Sequence, residues 1–412
     1  MTVAESRRHA VVTARSVRGA AAVAGALAIS AAGAVCVVTY HFARTVLTPP
    51  RARPEDVAVF SHDATRETIT LAVTPDTTLH GNYSFWFAGT RGHARLGEVL
   101  ERTPGTVTRR VIAVDSGDLS AARRGRIGGW FYQGPDDLGL PFENVTIDTP
   151  VGGAPAWLFE AEPASKRWVI QVHGRAVTRT ETLRAVPAFH DAGYTSLLIS
   201  YRNDGVAPAS DDARYALGDT EWEDVEAAIQ FAIEAGAREI VLMGWSMGGA
   251  VVLQTVTRTT ASVIRGVVLE SPVIDWVTAL DYQARLLGLP LFITHGVYRL
   301  IASRWASRIT GQARPIDLAR LDFVRRATEL SLPILLLHSD DDGYVPVEAS
   351  AALAAARSDI VTFERFRNAR HTKLWNYDPH RWNDVISGWL ASLGATTERT
   401  ACPIRRRGVA KV

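Results

Sequence analysis

Cysteine is nearly absent from this chain. Its two residues, Cys36 and Cys402, lie near opposite ends of 412 residues. Two sites so placed build neither a disulfide framework nor a zinc centre. Lysine is also scarce: Lys166, Lys373 and Lys411 are the whole complement, and arginine carries the basic character. Codon bias explains that better than function does. The two signs of charge almost cancel, to a net +2. Such a balance leaves no field to draw in nucleic acid, so no nucleic-acid partner is expected.

Charge is missing altogether between Gly19 and Tyr40. As a helix this segment spans about 33 Å, enough for a hydrocarbon core of ~30 Å. Residues 19–40 are therefore expected to be a single membrane anchor. A cleaved export signal ending at Ala32-Gly33-Ala34 is the first alternative, and a buried soluble helix the second. Arg7, Arg8, Arg15 and Arg18 precede the segment, while Arg44, Arg51 and Arg53 follow it. The bias favours a cytoplasmic N-terminus, residues 1–18, with the bulk of the protein outside at the cell membrane.

Residues 41–55, with Pro49, Pro50 and Pro54, read as a linker. From 56 to 141 the pattern is β-rich, with strand-like pieces at Val57–Phe60, Thr68–Val73, Tyr83–Phe87 and Val107–Val114. The aromatic group Tyr83, Phe85, Trp86 and Phe87 is expected to form the core of this accessory region. From 142 to 394 strands and helices alternate, which implies a mostly parallel sheet with helices on both faces. The alternation lapses into helical, aromatic sequence over about 275–323, read as a cap. The tail 395–412, with Arg405-Arg406-Arg407, is expected to be a disordered basic end.

Within that alternation, the apolar run Ile240–Met243 leads into Gly244-Trp245-Ser246-Met247-Gly248, followed by a helix-compatible run. This is the strand, sharp turn and helix of a nucleophile elbow. Gly244 and Gly248 flank the turn because larger side chains would collide there, and Trp245 precedes the serine. A serine hydroxyl needs a base, and the base needs an orienting carboxylate. Downstream, Asp340-Asp341-Asp342 follows a buried strand, and His371 lies between the last strand and the last helix. Ser246 is expected to be the nucleophile, His371 the base and Asp342 the orienting acid. Glu270 is the main alternative acid, and His380 the competing histidine. The oxyanion donors are expected to be the N–H groups of Met247 and Arg175. The second lies in the loop His173-Gly174-Arg175, and the Arg175 side chain is expected to pair with Glu181. No metal site and no cofactor are expected. His338 and His371 with the aspartates do not form pairs at ligand spacing.

His173-Gly174, Ser200-Tyr201-Arg202, Gly244 to Gly249, Asp342-Gly343-Tyr344-Val345-Pro346 and His371 together resemble the α/β-hydrolase superfamily. The closest likeness is to its serine aminopeptidase-like and dienelactone-hydrolase-like members. Arg370 stands where that family more often has glycine. The resemblance implies an α/β-hydrolase fold at 142–394 with a helical cap insertion, here preceded by a transmembrane helix and a small β-rich accessory region. It also implies a serine hydrolase of small-molecule or lipid-like acyl esters, working through an acyl-enzyme. A peptidase or an acyltransferase with the same triad, or a non-catalytic envelope binding protein, are the rival readings.

Overall fold

The computed structural model describes residues 26–27, 29–50 and 54–400. The expected cytoplasmic segment 1–18, the start of the apolar segment, Arg51, Arg53 and the tail beyond 400 lie outside the described residues.

The N-terminal apolar helix α1 covers Ile29–Leu47, with a mean hydropathy of 1.2. By length and composition it is able to cross a membrane. It runs past Tyr40, so the first half of the expected linker 41–55 is helical. The reason is tertiary: Ala43, Val46 and Leu47 are buried in the main core.

Six antiparallel strands follow: β1 (Val57–Asp63), β2 (Thr68–Ala72), β3 (Tyr83–Phe87), β4 (Gly92–Arg102), β5 (Thr106–Ser116) and β6 (Arg124–Gly128). They close into a barrel in the order β1-β2-β5-β4-β3-β6. Closure leaves no exposed sheet edge. Alternation sends Ile69, Leu71, Tyr83, Phe85, Phe87, Ala94 and Leu96 inward. Arg109 is buried among them and donates to the carbonyls of Thr77, Leu79, Gly81 and Gly97. Burial pushes its guanidinium down to about 10. Strands β4 and β6 have no apolar run to announce them. His93, Arg95, Glu98 and Arg124 occupy them, and only closure makes their alternate positions interior.

The second unit is an eight-stranded sheet in the order β14-β13-β12-β11-β9-β10-β8-β7. Its strands are β7 (Glu143–Thr149), β8 (Gly152–Phe159), β9 (Arg167–Val172), β10 (Thr195–Ile199), β11 (Glu239–Trp245), β12 (Ile264–Glu270), β13 (Ile334–Ser339) and β14 (Val361–Phe366). β7 and β8 form an antiparallel hairpin, β8 pairs antiparallel with β10, and every later pairing is parallel. The helices are α2 (Val186–Asp191), α3 (Trp222–Glu234), α4 (Met247–Val256), α5 (Trp276–Leu286), α6 (Leu291–Ile301), α7 (Arg304–Thr310), α8 (Glu348–Ala356), α9 (Leu374–Tyr377) and α10 (Pro379–Thr400). A 3-10 segment, Arg179–Ala185, precedes α2, with Pro187 in the first turn of α2.

The two faces of the sheet read directly from period-2 alternation. Ile240 and Leu242 pack with Val225 and Ile229 of α3 and with α4 on one face. Val241 and Met243 pack with Phe189 of α2 and Trp382 and Ile386 of α10 on the other. Strands covered on both sides are mostly apolar, and β11 and β13 are buried almost end to end. The barrel docks on the segment after His371. Asn82 N–H donates to Asn376 O at 2.8 Å, and Lys373 pairs with Asp76 at 2.8 Å.

Candidate active site

The elbow follows from local sterics. Ser246, between β11 and α4, has φ 51° and ψ −117°, a backbone conformation that costs a non-glycine residue of order 1–3 kcal/mol. Hydrogen bonds hold it on both sides: Ser246 N–H donates to Glu270 O, and Ser246 O accepts from Gly249 and Val273 N–H. A Cβ on Gly244 would stand 2.5 Å from Gly248 O, and one on Gly248 would stand 2.2 Å from Val172 O. Neither glycine admits a side chain without moving backbone. Trp245 is buried, and its indole N–H donates to Glu270 Oε2 at 2.9 Å.

The structure brings three distant side chains together at the carboxyl ends of β11, β13 and β14. His371 Nε2 lies 2.9 Å from Ser246 Oγ, and His371 Nδ1 lies 2.9 Å from both oxygens of Asp342. His371 N–H also donates to Asp342 O at 2.9 Å, which sets the spacing of the two loops. Asp342 Oδ1 accepts from the N–H groups of Tyr344 and Val345. Burial alone would raise this carboxyl. The imidazoles of His371 and His338 beside it outweigh that and hold Asp342 far below the usual carboxylate range.

His338, weighed from the sequence only as a metal ligand, instead faces Asp342. Its Nε2 is 3.4 Å from Asp342 Oδ2 and 3.1 Å from Val345 O, while Nδ1 is 2.8 Å from Ser350 Oγ. With the Ser350 hydroxyl donating to Nδ1, the proton stands on Nε2 and faces the carboxylate. The available signal was a histidine inside an otherwise apolar buried strand.

The competing groups are used elsewhere. Asp340 pairs with Arg365 at 2.6 Å, and Asp341 accepts from Asn368 N–H at 2.7 Å. Glu270 accepts from the indoles of Trp245 and Trp382 and from Leu374 N–H, and Arg184 lies 3.9 Å away. Burial raises its carboxyl above the ordinary value against those partners. His380 falls in the first turn of α10. Arg370 lies across Gly343, at φ 74°, where a Cβ would meet its guanidinium at 2.2 Å.

Met247 opens α4, so its N–H belongs to the helix end that has no intrahelical acceptor. The Arg175 N–H has no acceptor among the described residues. Gly174 approaches Ser246 closely, its virtual Cβ lying 3.2 Å from Ser246 Cβ. His173 is buried, stacks on Tyr201 at 4.2 Å and lies 3.2 Å from Asp204 Oδ2. The Tyr201 hydroxyl donates to the carbonyls of His173 and Gly174. The expected Arg175–Glu181 pair is not formed. Glu181 Oε2 instead accepts from Gly174 N–H at 3.3 Å. The Arg175 guanidinium turns away to the carbonyls of Thr45, Val46 and Thr48 at the end of α1, which attract a cation.

Two cavities meet at Ser246. One, of about 580 Å³, is bordered by His371, Thr372 and Lys373, and by Asp76, Arg126 and Trp130 from the barrel side. The other, of about 480 Å³, is largely apolar and lies between α1 and α5. Among the described residues no group of three or more His, Cys, Asp or Glu is arranged to hold a metal ion.

A model of the alpha/beta hydrolase family matches residues 169–385, more than half of the chain, and a domain of unknown function (DUF8805) matches residues 58–128, within the barrel. No curated protein matches. Among solved structures, an esterase from Pyrococcus furiosus is 20% identical, covering 63% of this chain and 94% of its own, with a TM-score of 0.50. An esterase from a Rhodococcus species is 16% identical over 61% of this chain and 99% of its own, with a TM-score of 0.43. A puromycin-hydrolyzing peptidase from Mycobacterium tuberculosis is 18% identical over 81% of this chain and 46% of its own, with a TM-score of 0.46. On the extent of the family match, carried by the sheet that presents Ser246 and His371, this chain belongs to the alpha/beta hydrolase family.

Proposed function

We propose that this protein is a serine hydrolase of carboxylic esters, tethered to a membrane by its N-terminal helix. Ser246 Oγ attacks the ester carbonyl carbon while His371 Nε2 takes the hydroxyl proton. The carbonyl π pair moves onto oxygen, where the Met247 and Arg175 N–H groups receive it. The oxyanion collapses, the carbon–alkoxide bond breaks, and His371 returns the proton to the departing alcohol. Water then repeats the sequence on the acyl-enzyme, releasing the acid and free Ser246. Asp342 keeps the imidazole tautomer and offsets its positive charge. Helices α5 to α7 form the cap.

The observation that carries this reading is the continuous relay from Ser246 Oγ through His371 to Asp342, with both links at 2.9 Å. The tether is supported by the length and apolar character of α1 and by its position near the N-terminus. The test is turnover of p-nitrophenyl esters together with fluorophosphonate labelling. Labelling at Ser246, and loss of ~10⁶-fold in kcat for Ser246→Ala, are expected. Undiminished turnover by that variant refutes the assignment. Recovery of the full chain in the soluble fraction of lysed cells would refute the tether.

A further inference from the structure

We infer that the apolar cavity between α1 and α5 is the acyl-binding subsite, and that the substrate is an ester of an extended fatty acyl chain with a polar alcohol. The inference rests on the esterase reading and adds which end of the ester goes where. The departing alcohol must reach the proton on His371 Nε2, so it occupies the cavity that His371 borders. The acyl remainder must stay bonded to Ser246 Oγ, with its oxygen on the Arg175 side, and leave in another direction. The second cavity meets that requirement: Ser246 and Arg175 border both cavities, but His371 borders only the first. Its wall suits hydrocarbon, being built from Phe42 and Val46 of α1 and from Val273, Trp276, Leu280 and Leu287.

Val38, His41, Phe42, Thr45 and Val46 of α1 line this wall, so α1 is part of the binding site as well as an anchor. Arg175 ties the last turn of α1 to the loop beside the nucleophile. Tyr215 N–H donates to Leu47 O at 2.8 Å, and Gly296 of α6 lies so close to Thr39 that a Cβ there would stand 2.8 Å from its methyl. Toward the surface the cavity ends at Val38 and Leu287, both exposed. Leu286, Leu291 and Phe292 continue the exposed apolar surface on the adjoining helices. A chain entering there passes from a lipid phase along α1 to Ser246 without crossing water. The lining residues of α1 also lie beyond Ala32-Gly33-Ala34, so the subsite survives cleavage at that point.

The test uses the full chain and p-nitrophenyl esters from acetate to decanoate, which share one leaving group. The specificity constant should rise by up to about fourfold per methylene until the cavity is filled. Ala279→Trp, which fills the cavity, and Phe42→Asp, which charges its α1 wall, should each lower the decanoate-to-acetate ratio of kcat/KM at least ~tenfold. Val37→Asp, on the same helix but outside the cavity, should keep the parent's ratio. A flat chain-length profile in the parent, with acetate hydrolysed and Ser246 labelled by fluorophosphonate, overturns the subsite and leaves the hydrolase reading standing. Equal losses on acetate and decanoate in both cavity variants overturn it as well. Absence of both turnover and labelling in the parent sinks the hydrolase reading itself.

Discussion

The guanidinium of Arg175 and the carbonyl oxygen of Val46 are joined by a 3.0 Å hydrogen bond. The loop that borders Ser246 and the last turn of the N-terminal helix thereby hold each other in place. Two further carbonyls, of Thr45 and Thr48, share the same cation, and its planar head lies 5.5 Å from the Tyr215 ring. This is helix C-terminal capping by a side chain from another part of the chain.

Arg175→Ala keeps the backbone N–H proposed as an oxyanion donor and removes only the clasp. Hydrogen bonds from a charged donor contribute ~1.5–3 kcal/mol, so α1 should open locally by that much more readily. Faster amide exchange over residues 41–48, measured by mass spectrometry, is the expected outcome. Unchanged exchange would show that the apolar contacts of Ala43 and Leu47 suffice alone.

His338 lines neither cavity at Ser246; in the proposed mechanism it acts through Asp342 as a positioning residue. His338→Phe should lower kcat ~tenfold with KM little changed, the cost of one hydrogen bond to a charged acceptor. A merely structural role would instead lower the melting temperature and leave the kcat of the folded fraction intact.

Glu270 sits buried with Arg184 and two indole N–H donors around it. Glu270→Ala leaves both indoles and the Leu374 N–H without their acceptor and removes a carboxylate from beside Arg184. Denaturant titration should show a loss of ~3–5 kcal/mol, the usual cost of removing one member of a buried charged group.

Gly248→Ala places a methyl 2.2 Å from Val172 O and 2.4 Å from His173 O, both backbone atoms. Relief requires separating α4 from β9 and its following loop. A destabilisation of ~1–3 kcal/mol or more is expected, with lower kcat because the same shift disturbs Ser246. A variant with parental stability and turnover would show that the elbow is more compliant than its contacts suggest.

Asp342 carries a pH dependence whose sign follows from its depressed carboxyl. The folded state binds its proton less readily than the unfolded state does. Its ionised form therefore stabilises the fold above the unfolded value of ~3.9, and the contribution fades as pH falls below that. The stability difference between the parent and Asp342→Asn should be present at pH 5 and shrink below about pH 4. A difference that grew on acidification would contradict this sign.

The sequence by itself determined whatever depends on neighbours along the chain. Apolar runs specified the buried strands β9, β11 and β13, because a strand covered on both faces favours apolar side chains along most of its length. Glycines on either side of Ser246 specified the turn, since its sterics arise within five residues. Chain order also marked which acid and which histidine follow the strands that end at the rim. Tertiary structure decided the rest, where partners are far apart in sequence. Barrel closure turned the charged segments β4 and β6 into strands. Packing of Ala43, Val46 and Leu47 prolonged α1 beyond the expected linker. The same docking drew Arg175 away from Glu181, because the uncompensated carbonyls at the end of α1 exist as a target only once that helix lies against the sheet. His338 came to face Asp342 by the folding of one loop back over its own strand, a contact that no spacing rule encodes.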